Sequence, residues 1–127
     1  MGEPRGKQRP RFNRKTGTTY TPSETVQYEK AVGFLYKRAR GQKLTGDVRL
    51  ELIAFYKIPA STTKQNQEAM AHGLSLPSKK PDLDNVLKIV MDGLNGIAYD
   101  DDKQVVSVRA CKLYSEEPRV EVEVVEL

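Results

Sequence analysis

Val48-Arg-Leu-Glu-Leu-Ile-Ala-Phe-Tyr-Lys-Ile58 is the stretch on which the fold turns. Val48, Leu50, Leu52, Ala54, Tyr56 and Ile58 recur at every second position, with Arg49, Glu51 and Lys57 between them. Successive side chains of a strand point to opposite faces, so this period predicts a strand with one apolar face. Ile53 and Phe55 fall on the second face, which predicts partial cover there too. An apolar strand face needs an element laid over it. Asp84 to Leu94 reads as one: Val86, Leu87, Val90, Met91 and Leu94 keep a helical period, and Asn95-Gly96 ends the run.

Working outward, Ser23 reads as the cap of a helix carrying Val26, Ala31, Val32, Leu35 and Ala39, ended by Gly41. Ser61 reads as the cap of a short helix from Thr62 to about His72, ended by Gly73, with a loop from Leu74 to Lys80. Val105–Tyr114 and Arg119–Val125 alternate and predict two further strands joined through Ser115–Pro118. Asn13 to Thr18 reads as a turn, with short strands around Pro10–Phe12 and Thr18–Tyr20. The expectation is one α+β domain over residues 1–127, with helices packed on a small mixed or antiparallel sheet.

Charge is unevenly spread. Met1 to Lys43 holds eleven Lys/Arg against three acids, a balance of +8; Leu44 to Leu127 holds ten against fourteen, a balance of −4. Such asymmetry predicts a polyanion-binding surface beside an acidic site. Arg5, Lys7, Arg9, Arg11, Arg14 and Lys15 make residues 1–20 a basic arm suited to phosphate contacts, with Phe12 and Tyr20 nearby. The single cysteine, Cys111, excludes an intrachain disulfide and is read as a small packed hydrophobe; His72 is read as a helix-end surface residue. No signal peptide and no apolar run of membrane-spanning length is visible, so the reading is a cytoplasmic protein.

The acids carry the chemistry. Asp82 and Asp84 stand two apart at a loop-to-helix junction after Pro81, and Asp100-Asp101-Asp102 precedes the next strand. One helix cap accounts for one aspartate; it accounts poorly for the pair and the triplet together. Separated carboxylates are hard oxygen donors that favour Mg²⁺, or Mn²⁺, over zinc. Asp84, Lys88 and Asp92 follow at i,i+4 spacing, either as a surface ion-pair ladder or with Lys88 as an active-site cation. Other motifs fail. Asp82-Leu-Asp84-Asn-Val86 lacks the preceding apolar strand of a dehalogenase-like phosphatase, an EF-hand would need another oxygen ligand at Val86 and glycine at Leu87, and no GxxxxGK[ST] loop is present.

Lys80-Pro-Asp82-Leu-Asp84-Asn85-Val-Leu-Lys88, then Asp92-Gly-Leu-Asn-Gly, then Tyr99-Asp-Asp101-Asp102-Lys-Gln104-Val105-Val106, resembles the RusA family of Holliday junction resolvases. Gly2 to Arg11 resembles that family's basic amino-terminal region. The resemblance implies a dimeric α+β fold of bacterial and prophage endodeoxyribonucleases. It also implies Mg²⁺-dependent cleavage of four-way junction DNA, in recombination and repair near the nucleoid. Carried over by position, Asp82, Asp84 and Asp102 match the catalytic, metal-binding carboxylates, with Asp101 beside them, and Lys88 matches the catalytic lysine. Asn85 falls in the motif as an orienting residue. Family members place an apolar strand ahead of the Gly-Glu-Pro segment, whereas this sequence begins at Met1-Gly2: either that strand is truncated or the start site was assigned late. Two other readings stay open: a non-catalytic nucleic-acid-binding module, and a less selective Mg²⁺ nuclease.

Overall fold

β3 (Val48–Lys57) is the central strand of a three-stranded sheet ordered β4-β3-β5, in a computed structural model that describes residues 2–8 and 11–127. β4 (Val105–Ser115) runs parallel to it and β5 (Arg119–Glu126) antiparallel, so the sheet is mixed. A parallel pair needs a crossover between its strands. Here the crossover holds α2 (Lys64–Ala71), α3 (Leu83–Leu94) and a 3₁₀ turn at Asp102–Gln104. Before β3 lie a small hairpin of β1 (Arg11–Asn13) and β2 (Thr18–Tyr20), and α1 (Ser23–Arg38). Three helices with small sheets form the expected α+β architecture.

The alternation of β3 is expressed in full. Val48, Leu50, Leu52, Ala54 and Tyr56 are buried on the face that receives α3, which contributes Val86, Ile89, Val90 and Leu94 to the same core. Each such aliphatic side chain removed from water contributes about 1.5–3 kcal/mol. Ile89 completes the helical stripe between Val86 and Val90, a position the apolar pattern of Val86, Leu87, Val90, Met91 and Leu94 passes over.

α1 meets α3 at two glycines. A Cβ on Gly93 would lie 2.9 Å from the Glu29 carbonyl oxygen, and one on Gly33 would lie 3.0 Å from the Gly93 carbonyl oxygen. The helices cross so closely that only hydrogen fits at both points. This crossing turns α1 away from its expected face. Thr25, Val32 and Gly33 are buried, whereas Leu35 of the predicted stripe is exposed. Packing against a glycine, rather than maximal apolar burial, chooses the face.

Element ends also differ from the sequence reading. Pro22, not Ser23, occupies the position before α1, and the backbone N–H groups of Thr25 and Val26 donate to its carbonyl. Thr63, not Ser61, caps α2, its hydroxyl accepting from the Asn66 N–H. Arg40 takes the left-handed turn after α1 (φ 60°), while Gly41 is needed because a Cβ there would strike the Tyr36 ring. Gly73 does end its helix with φ 75°. Cys111 is exposed rather than packed, because it sits on β4 opposite Ile53, on the sheet face that α3 does not cover. No helix among the described residues is long and apolar enough to cross a membrane.

Candidate functional site

The two aspartates at the start of α3 are held there by the sheet beneath. The Tyr56 hydroxyl, at the end of β3, donates to the Pro81 carbonyl, and Lys112 Nζ on β4 donates to the Lys79 carbonyl at 2.6 Å. The Lys112 ammonium also lies 4.8 Å from the centre of the Tyr56 ring, so one cation and one ring fasten residues 79–81. Burial, then the charges of Asp82 and Glu3, push the Tyr56 hydroxyl up to about 12. Sequence patterning reads Tyr56 only as core. The visible signal for Lys112 is a charged residue in register with Ala54, on the core side of the sheet.

Asp82 occupies the cap position of α3 with extended backbone, yet its side chain makes no capping hydrogen bond. The simplest structural use of Asp82 is therefore not made. Asp84, in the first helical turn, accepts from the Asn85 N–H at 3.0 Å. Both side chains are exposed, at an end where the helix dipole favours negative charge.

The three consecutive acids before β4 take three separate places. Asp100 pairs with Lys43 at 2.6 Å. Asp101 caps the 3₁₀ turn, accepting from the Lys103 N–H at 2.9 Å, and that bond is the chief reason its carboxyl titrates below the usual range. Asp102, the first residue of that turn, is half-buried, and its side chain lies beside that of Asp101. Gln104 ties the loop down from both ends of its amide. Its Oε1 accepts from the Asp100 and Asp101 N–H groups, and its Nε2 donates to the Leu44 and Gly46 carbonyls, each at 3.0 Å. The turn packs against α3. Tyr99 records that proximity: its hydroxyl donates to the Met91 carbonyl, and burial followed by Asp102, Asp92 and Asp101 raises its pKa.

Asp82, Asp84 and Asp102 thus stand on α3 and on the turn packed against it. Among the described residues, however, no three His, Cys, Asp or Glu side chains are grouped closely enough to hold a metal by themselves. The expectation that three carboxylates share one cation is not met as a preformed cage. A partial set is what a hard divalent ion requires when it keeps several waters and takes one or two carboxylates plus substrate phosphates. Carboxylate oxygens are the donor type that Mg²⁺ or Mn²⁺ takes in that mode.

The basic arm is not one surface. Pro4 is buried, and a Cβ on Gly6 would lie 3.0 Å from Asn85 Cβ, so residues 4–8 pack along the start of α3. The Lys7 N–H donates to the Asn85 carbonyl at 2.9 Å, and the Gln8 side chain accepts from the Thr25 hydroxyl. A groove of about 610 Å³ follows this strap, with Arg5, Lys80, Asp82 and Asn85 among its walls. Arg5 pairs with Glu24 at 3.6 Å and stays well exposed. Lys7, expected to grip phosphates, instead carries its ammonium between Glu29 and Asp92. Burial opposes that charge, but hydrogen bonds to the two carboxylates outweigh it and raise the Lys7 pKa. Arg11, Arg14 and Lys15 stand exposed on the hairpin, with Phe12 exposed among them; Arg9 lies outside the described residues.

The chain is 36% identical over 126 residues to YqaN of Bacillus subtilis (strain 168), an uncharacterised protein, across 95% of this chain and 89% of the relative. Residues 1–125 match the family described as Endodeoxyribonuclease RusA. With a match that spans nearly the whole sequence and includes both aspartate segments, the chain belongs to the RusA endodeoxyribonuclease family.

Proposed function

We propose that this protein is a Mg²⁺-dependent endonuclease that resolves four-way DNA junctions by paired phosphodiester hydrolysis, acting as a homodimer. One observation carries the reading: Asp82, with no cap to serve, lies beside a groove whose walls carry the cations Arg5 and Lys80. A phosphodiester strand laid in that groove is attracted by the cations and brought against the acids.

Asp82, Asp84 and Asp102 would hold the Mg²⁺, with Asp101 serving the turn that presents Asp102. When bound, the metal supplies a water of lowered pKa and neutralises charge on the phosphate. Lys88 donates to the phosphate oxygens, where negative charge grows in the transition state. Arg11, Arg14 and Lys15 bind flanking phosphates from the hairpin, and Arg5 binds near the scissile bond. Two copies related by a two-fold axis present two such sites to a junction of similar symmetry, so that opposed strands are both cut.

The test is cleavage of a synthetic four-way junction with and without Mg²⁺, beside a fork and a linear duplex of the same sequences. Junction cleavage that requires Mg²⁺ and outcompetes the fork and duplex is expected. Equal cleavage of all three would replace junction specificity with a general nuclease. Tight binding with no cleavage at any Mg²⁺ or Mn²⁺ concentration would leave only a binding module.

A further inference from the structure

We infer that Asp92 is a positioning residue that holds the Lys88 ammonium off Asp84. This rests on the proposed metal-binding role of Asp84. The i,i+4 ladder Asp84–Lys88–Asp92 offers Lys88 two carboxylates. An acid four residues N-terminal to a lysine is the better helical arrangement, so Asp84 is the partner that helix geometry alone favours. The structure makes the other choice: Lys88 Nζ lies 3.3 Å from Asp92 Oδ1, while Asp84 accepts from the backbone of Asn85.

The cause lies outside the helix. Asp92 is only 17% exposed, and its second oxygen, Oδ2, is 3.2 Å from Lys7 Nζ. Lys7 is in turn bound to Glu29 of α1, which the Gly33–Gly93 crossing brings alongside α3. A carboxylate fixed from behind by a half-buried cation is a pre-ordered acceptor, and a pre-ordered acceptor outcompetes an exposed one for a flexible lysine. The four charges Lys7, Glu29, Asp92 and Lys88 sum to zero, so parking Lys88 here leaves the cluster with no net charge. Were Lys88 to fold back on Asp84, it would neutralise an oxygen donor that a divalent cation needs. Asp92 therefore keeps Asp84 open, and keeps Lys88 one side-chain swing from the phosphate.

Asp92→Asn leaves Lys7 paired with Glu29 and orphans no half-buried charge, so the variant folds; Asp92→Ala is the second variant. In crystals of either, Lys88 Nζ is expected within salt-bridge distance of Asp84, and Lys88 left beside position 92 or turned to solvent overturns the inference. The solution measurement is Mn²⁺ binding to the full chain by electron paramagnetic resonance. Asp92→Asn is expected to weaken it roughly 10-fold, with the loss reversed when Lys88→Ala is added. Unchanged Mn²⁺ binding, or a loss that persists without Lys88, overturns it. If Asp84→Asn binds Mn²⁺ as tightly as wild type, the metal role of Asp84 is what fails, and the crystal comparison decides the placement of Lys88 by itself.

Discussion

At the scale of single residues, the proposed function separates the groups assigned chemistry from the groups that aim them. Asp82→Asn and Asp84→Asn remove a charge from exposed positions and disturb no packing. Each is expected to keep junction binding in a gel-shift measurement while cleavage falls roughly 100-fold or more. Tyr56 is the opposite case. Tyr56→Phe deletes the hydrogen bond to Pro81 and costs about 0.5–1.5 kcal/mol in urea unfolding at neutral pH. The same variant tests linkage. With the folded hydroxyl at about 12 and an ordinary unfolded value near 10, the unfolded state releases its proton first as pH rises. Stability then falls from about pH 10 upward in the wild type and falls less steeply in Tyr56→Phe. Lys7 titrates with the same sign: its raised pKa contributes stability that is complete below the unfolded value and lost as pH rises through the folded one.

At the scale of elements, two junctions deserve separate tests because they position different acids. The α1–α3 crossing depends on the absence of a side chain at Gly93, where the nearest atom is backbone and cannot rotate away. Gly93→Ala is expected to destabilise the fold by about 1–3 kcal/mol, read from the thermal or urea midpoint. The turn before β4 depends on Gln104 instead. Gln104→Ala removes four hydrogen bonds that join residues 100–101 to residues 44–46. Hydrogen exchange of the Asp100 and Asp101 amides is expected to accelerate, with cleavage slowed and junction affinity nearly kept. Protected amides in that variant would show that other contacts hold the turn.

At the scale of the whole molecule, the basic half divides into a strap and a hairpin. Residues 4–8 pack on α3 and build the groove, whereas Arg11, Arg14 and Lys15 stand away from the core. Replacing those three by Gln is expected to weaken junction binding and to reduce the slope of log affinity against log salt by about 2–3. Lys7→Gln leaves that slope unchanged and lowers stability instead, because its ammonium meets carboxylates rather than phosphate. An unaltered slope in the hairpin variant removes the hairpin from the DNA interface.

Local periodicity and residue type determined much of this protein by themselves. The alternation of residues 48–58 specified β3 and its buried face, because strand orientation is set between neighbours in the chain. The helical period after Asp84 specified α3, and the order of elements specified an α+β domain. The acids of residues 82–84 and 100–102 are legible as hard oxygen donors whatever the fold. The tertiary structure alone decided how those acids are used. Lys7 finds Glu29 and Asp92, Tyr56 finds Pro81, and Gln104 finds Leu44 and Gly46 across separations that carry no period. Such pairings follow from which surfaces come to lie together once the core closes, and here a two-glycine helix crossing set the alignment of charges around Asp92.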